Sequence, residues 1–325
     1  GLGNYYTPIE STQLRQWESG SAQPELEHLE ALAEMYVCPV GYFFLKEVPL
    51  ETIPLSFRGL SPEKQGKLKP LSQQTLHRFL ELADWTTLLI EEEKLEWNTS
   101  LRPQGQLRGD ISEVESLVQQ ERKRLGFSPE VRKKWTDADD AFVWWRKRIE
   151  EQGVFCFQMK LEIGDIRGAS IWFKPRYPFI LVNHQDIETA TGRVFTLLHE
   201  YAHIISGNEG VVCDFRGLRP AQGPEPFANR FAARMLLSYE ELQKKLKEIG
   251  RYAFSDTWSD NILDELRRPL SVSRDVVAIA LQEMNLAPDD FYNRKRVQWE
   301  MRKPFGKGGG GKRATNNELK LREIG

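Results

Sequence analysis

Between residues 154 and 207 the spacing of apolar side chains changes once, and no other feature of the chain constrains its fold as much. VFCFQM, GASIWF and FILVN alternate or run apolar with β-branched and aromatic residues, as strands do. KPRYP, between the last two, carries the turn chemistry of a hairpin. ETATGRVFTLLHEYAHIISG then places Val194, Leu197, Leu198, Tyr201 and Ile205 on one helical stripe, which Gly207 ends. The expectation is a small antiparallel sheet followed at once by an amphipathic helix, in an α+β chain that is mostly helical.

That helix carries two of the chain's five histidines. His199 and His203 lie one turn apart on one face, so both can offer a ring nitrogen to one cation at about 2.0–2.1 Å. Glu200 is rotated by about 100° from His199, off the ligand direction but beside an open coordination position, where it can take a proton from water. A hydrolytic zinc ion needs a third protein ligand from a nearby element. Glu209, Asp214 and Glu225 are the candidates. Glu209 follows the helix stop too closely to fold back easily, whereas Glu225 heads the next helix, which begins near Pro226 and has Phe227, Phe231 and Leu237 among its apolar positions.

Asn229, one turn after Glu225, can accept a hydrogen bond from the non-ligating nitrogen of a zinc histidine. Tyr177, Tyr201, Arg216, Arg219 and Arg230 are candidate oxyanion donors, and the sequence does not choose among them. Cys213 is expected to be a small buried thiol in preference to a fourth ligand. FILVN is either a core strand or an edge to which an extended peptide could add. The competing structural reading makes both histidines polar residues on a helix edge and Glu225 a surface carboxylate.

Elsewhere, STQLRQWESG and PELEHLEALAEMY read as helices, the second with a stripe of Leu26, Leu29, Leu32, Ala33 and Tyr36. Residues 51–70 read as a linker. LSQQTLHRFLELADWTTLLIEEE follows as a long helix with Leu76, Leu80, Ala83 and Leu88 inward; His28 and His77 stand alone on their helices. ISEVESLVQQERKRLG, DADDAFVWWRKRIEEQG with Gly153 as its stop, YEELQKKLKEIG and SVSRDVVAIALQEM are further helices. KPFGKGGGGKRATNNELKLREIG has linker composition. The expected division is 1–50, a partial helix-turn-helix-like unit; 51–70, a linker; 71–135, a helical connecting region; 136–302, the catalytic domain; and 303–325, a basic tail.

A formal net charge of −2 over 325 residues points to neither nucleic acid nor an anionic membrane as a global partner. Three cysteines without CxxC spacing fit a reducing compartment, and cytoplasm is the expectation. No apolar run approaches the roughly 18–20 residues that span a bilayer.

LRQWESGSAQPELEHLEALAEMYVCPVGYFF resembles the second half of a phage-repressor-type (XRE-like) helix-turn-helix domain. In that family two more helices come first, and the ten residues before Ser11 cannot form both. Arg15 is the only base in the segment matching the recognition helix, so DNA is an uncertain partner and protein docking the alternative. HEYAH followed by EPFAN is similar to the HExxH…ExxxD arrangement of thermolysin-like zinc peptidases, with Asn229 in place of Asp. Residues 136–300 resemble the ImmA/IrrE metallopeptidases, matching in order RGASIWFKPRYPFILVN, FTLLHEYAHIISG, EPFANRFAARMLLS and LSVSRDVVAIAL. The resemblance implies a zincin-like (gluzincin-type) domain, zinc on His199, His203 and Glu225, and Glu200 as catalytic base. It further implies a protein substrate of the repressor or regulator kind, in a bacterial mobile-element or stress response. The opposing expectations are a non-catalytic adaptor and a DNA-binding regulator that uses the peptidase fold as a sensor.

Overall fold

Among the described residues four strands form one sheet: β1 (Phe155–Met159), β2 (Gly168–Phe173), β3 (Tyr177–Asn183) and β4 (Val211–Cys213), in the order β1-β3-β2-β4. The computed structural model describes residues 9–36, 38, 40–46, 68–97, 99, 101, 111–162, 165–174, 176–185, 190–207, 211–213, 224–270 and 272–302. Most of the 51–70 linker, the 303–325 tail, and Glu209, Asp214, Arg216 and Arg219 lie outside the described residues. Among the described residues, no helix is long and apolar enough to cross a membrane.

The sheet is mixed, which corrects the antiparallel expectation. β2 and β3 form the expected hairpin, with Phe173 opposite Tyr177, but β1 runs parallel to β3. β2 lies on the far side of β3 from β1, so the hairpin returns β3 into the gap between them. Alternation specifies which face a side chain takes, not which strand it neighbours or in which direction. β3 is therefore an inner strand, buried at all seven positions, and not a free edge. Buried Asn183 ties the crossover down: its Nδ2 donates to the Ile166 carbonyl at 3.1 Å, and its Oδ1 accepts from the Gln185 amide at 2.9 Å.

Helices cover both faces. In chain order they are α1 (Ser11–Glu18), α2 (Leu26–Tyr36), a 3-10 turn at Val40–Phe44, α3 (Pro70–Glu92), α4 (Ile111–Arg124), α5 (Pro129–Arg132) and α6 (Ala138–Glu150). After β3 come α7 (Ala190–Ile205), α8 (Pro224–Leu236), α9 (Tyr239–Glu248), α10 (Asp260–Arg267), α11 (Arg274–Glu283) and α12 (Phe291–Arg302). Leu76, Phe79 and Ala83 of α3 pack with Phe157, Ile171, Phe179 and Leu181 on one face of the sheet. Cys156, Ile180 and Val182 face the other core, built around α7 and α8. Val114, Leu117 and Val118 of α4 belong to that same core, so segment 71–135 is built into the two layers that flank the sheet.

Two apolar stripes depart from expectation. Leu88 is exposed on α3, because a 3.6-residue period carries the buried line from Ala83 to Thr87 and Ile90. On α2, Leu32 and Ala33 are buried but Leu26 and Tyr36 are exposed. The helix boundaries are otherwise close: α6 is capped by Asp137, which accepts from the Asp139 and Asp140 amides, and Gly153 takes φ 84° after it. α5, α10 and α12 are additional helices that the apolar spacing does not single out.

Candidate metal centre

α7 is buried continuously from Val194 to Ser206 because the sheet, α6 and α8 surround it. Three carbonyls of its last turn are taken. The Ser206 amide bonds the Ala202 carbonyl at 3.0 Å, Ser206 Oγ donates to the His203 carbonyl at 3.1 Å, and Trp172 Nε1 donates to the Ile204 carbonyl at 2.9 Å. Gly207, at φ 70°, ends the helix in the left-handed region. The imidazoles of this helix are thus carried on a fixed frame.

His199 and His203 present their Nε2 atoms to each other at 3.1 Å. Glu225, in the first turn of α8, reaches them from the neighbouring helix: Oε2 lies 3.4 Å from His199 Nε2 and Oε1 3.8 Å from His203 Nε2. All three residues are buried, and their ligand atoms lie within 4.8 Å of one another. A tetrahedral ion with bonds of about 2.0–2.1 Å separates its ligand atoms by about 3.3 Å. The observed spacings bracket that value, and two imidazoles with one carboxylate are a donor set that suits zinc. The residues fit a metal ion, and Glu225 is the carboxylate that the fold brings to the histidines.

Glu200, next to His199 in the sequence of α7, is fully buried. Ser170 Oγ, on β2 and also fully buried, donates to its Oε2 at 2.8 Å. Gly168, two residues earlier, lies directly beneath: a Cβ there would stand 2.7 Å from Glu200 Oε1 and 2.8 Å from Thr196 Cγ2. Neither residue was singled out by the sequence. The available signal was a glycine and a serine at alternate positions of GASIWF, on a face that packs against a helix.

The remaining candidates separate. Asn229 follows Glu225 by one turn, but its buried Oδ1 has no hydrogen-bond partner among the described residues, so it accepts no bond from His199 or His203. Tyr201 is committed elsewhere: its hydroxyl donates to Glu121 Oε2 at 2.8 Å and accepts from Arg124 Nη2 at 2.6 Å, and burial, with Glu121 beside it, pushes its pKa well up. Tyr177 lies in the core on the opposite side of the sheet, against α3. Arg230 pairs with Glu283 at 2.9 Å. Glu209, Asp214, Arg216 and Arg219 lie outside the described residues, and of Cys213 only the backbone, in β4, is described.

Residues 149–282 match the family model described as the IrrE N-terminal-like domain, a peptidase family. The match runs from the end of α6 through α11, and so takes in the whole sheet, α7, α8 and all three convergent residues. It points to a metallopeptidase-type domain. No curated protein and no solved structure matches the chain.

Proposed function

We propose that the chain is a zinc-dependent metalloendopeptidase of the HExxH type, with His199, His203 and Glu225 as metal ligands and Glu200 as general base. The observation that carries this reading is the convergence of three buried ligand atoms within 4.8 Å, with the buried Glu200 carboxylate adjacent in sequence to one of them. When bound, zinc supplies Lewis acidity, polarising a carbonyl and bringing a water's pKa down toward about 7. Glu200 takes the proton from the water as its oxygen adds to the peptide carbonyl carbon. It then delivers that proton to the nitrogen as the C–N bond breaks. Burial of the three ligands and Glu200 keeps competing water away and strengthens each electrostatic contact.

The substrate in this reading is a protein, in keeping with the likeness to ImmA/IrrE enzymes: a repressor or comparable regulator in the bacterial cytoplasm. α1 offers a single base, Arg15, which is too little for a DNA-reading helix, and a protein partner suits α1 and α2 better. A quenched-fluorescence peptide library incubated with the zinc-loaded chain tests the reading. Zinc-dependent cleavage that Glu200→Gln abolishes is expected; equal cleavage by both chains would overturn the assignment of the base.

A further inference from the structure

β2 meets α7 through alternate residues only, because successive strand side chains point to opposite faces. Gly168, Ser170 and Trp172 form that line, while Ala169 and Ile171 pack into the α3 core. Each of the three does something different for the helix. Gly168 leaves a gap: a Cβ there would lie 2.7 Å from Glu200 Oε1 and 2.9 Å from Glu200 Cγ, closer than side-chain atoms pack. Ser170 offers a donor, 2.8 Å from Glu200 Oε2. Trp172 takes the Ile204 carbonyl at 2.9 Å and so fixes the last turn of α7 against the strand.

We propose that Ser170 is a positioning residue for Glu200: its hydroxyl holds one carboxylate oxygen, in the space Gly168 leaves open, and sets the orientation of the carboxylate beside the metal ligands. The inference rests on the reading of Glu200 as base. A glutamate has three side-chain torsions, and burial alone excludes water without choosing among them; a directed hydrogen bond from a strand does choose. Among the described residues the Ser170 hydroxyl bonds Glu200 and none of His199, His203 and Glu225, so removing it acts on the orientation of the base and not on the ligand set.

The test compares zinc-loaded full chains carrying Ser170→Ala, Ser170→Thr and Glu200→Gln, using zinc content, crystal structures and kinetics on a peptide cleaved by the wild type. Expected for Ser170→Ala are unchanged zinc and KM, a Glu200 carboxylate turned away from β2, and kcat lower by about 10- to 100-fold, as displacement of a reacting group by about 1 Å produces. Threonine, which keeps the hydroxyl, restores most of kcat. Gly168→Ala gives the same loss with Ser170 intact, and Ser170→Cys carries the expectation if alanine at 170 does not fold. A Ser170→Ala chain with wild-type kcat and Glu200 in place, while Glu200→Gln is inactive, would overturn the proposal. Should Glu200→Gln cleave as well as the wild type, the peptidase reading falls instead, and the orientation of Glu200 in the Ser170→Ala crystal structure still decides whether Ser170 positions it.

Discussion

α1 and α7 are both helices with apolar residues at helical spacing, yet α1 buries no residue and α7 buries every one from Val194 to Ser206. The difference lies in what surrounds them. Among the described residues α1 makes the Trp17–His28 ring contact, with centroids 5.0 Å apart, whereas α7 is enclosed by the sheet, α6 and α8. A stripe of apolar residues needs only one neighbour. The polar residues of α7 are buried because its other faces are covered too, and buried polar groups persist only where they are partnered. Hence the imidazoles face Glu225, Glu200 meets Ser170, and Tyr201 closes onto Glu121 and Arg124.

The contrast makes unequal demands on substitutions. Leu198, fully buried at the centre of α7, should destabilise the chain by about 2–5 kcal/mol when replaced by alanine, seen as a lower midpoint in urea. A midpoint shift as small as that of a surface mutant would mean α7 is not enclosed as described. Glu121→Ala removes the acceptor shared by Tyr201 and Arg124, whose contacts are 2.8 and 2.6 Å. A cost of about 2–4 kcal/mol is expected, since both partners stay behind in a largely buried site. Tyr201→Phe should cost less, because it leaves the Arg124–Glu121 pair in place.

A smaller effect sharpens the comparison on α10. Asp264 accepts from Arg274 and Arg267, and these bonds, Arg274 first, hold its carboxyl well below the usual carboxylate range. A carboxyl depressed in the folded state stabilises above its unfolded pKa of about 3.9, and that contribution is lost as pH falls below it. Asp264→Asn should therefore cost about 1–2 kcal/mol at pH 7 and progressively less below about pH 4, in denaturant titrations at each pH. A difference that grows on acidification would contradict the sign. Leu14→Ala in α1 is the smallest change, within about 0.5 kcal/mol, and it should leave metal binding untouched.

The convergence of His199, His203 and Glu225 is legible in the sequence because it rests on local rules. The i, i+4 spacing of His199 and His203 needs only helical geometry, and Glu225 follows from one connection and one turn of the next helix. What was not legible depends on contacts between elements distant in sequence. Ser170 and Gly168 become meaningful only once β2 lies under α7. The parallel pairing of β1 with β3 depends on the order in which three similar strands are laid down, which alternation does not encode. Leu88 reads as inward because it is a leucine, but the helical period passes through Thr87 instead, whose hydroxyl is satisfied by the Asp84 carbonyl at 2.8 Å. Asn229 shows the same limit, since spacing placed it one turn from Glu225 without showing what its side-chain oxygen would meet.

The most direct measurement is zinc content by elemental analysis of the purified wild-type chain and of His203→Ala and Glu225→Ala, after reconstitution and dialysis. About one zinc per wild-type chain, lost from both variants while each remains folded by circular dichroism, is the expected result. A wild-type chain that takes up no zinc, or a Glu225→Ala chain that keeps it, would contradict the three-residue centre.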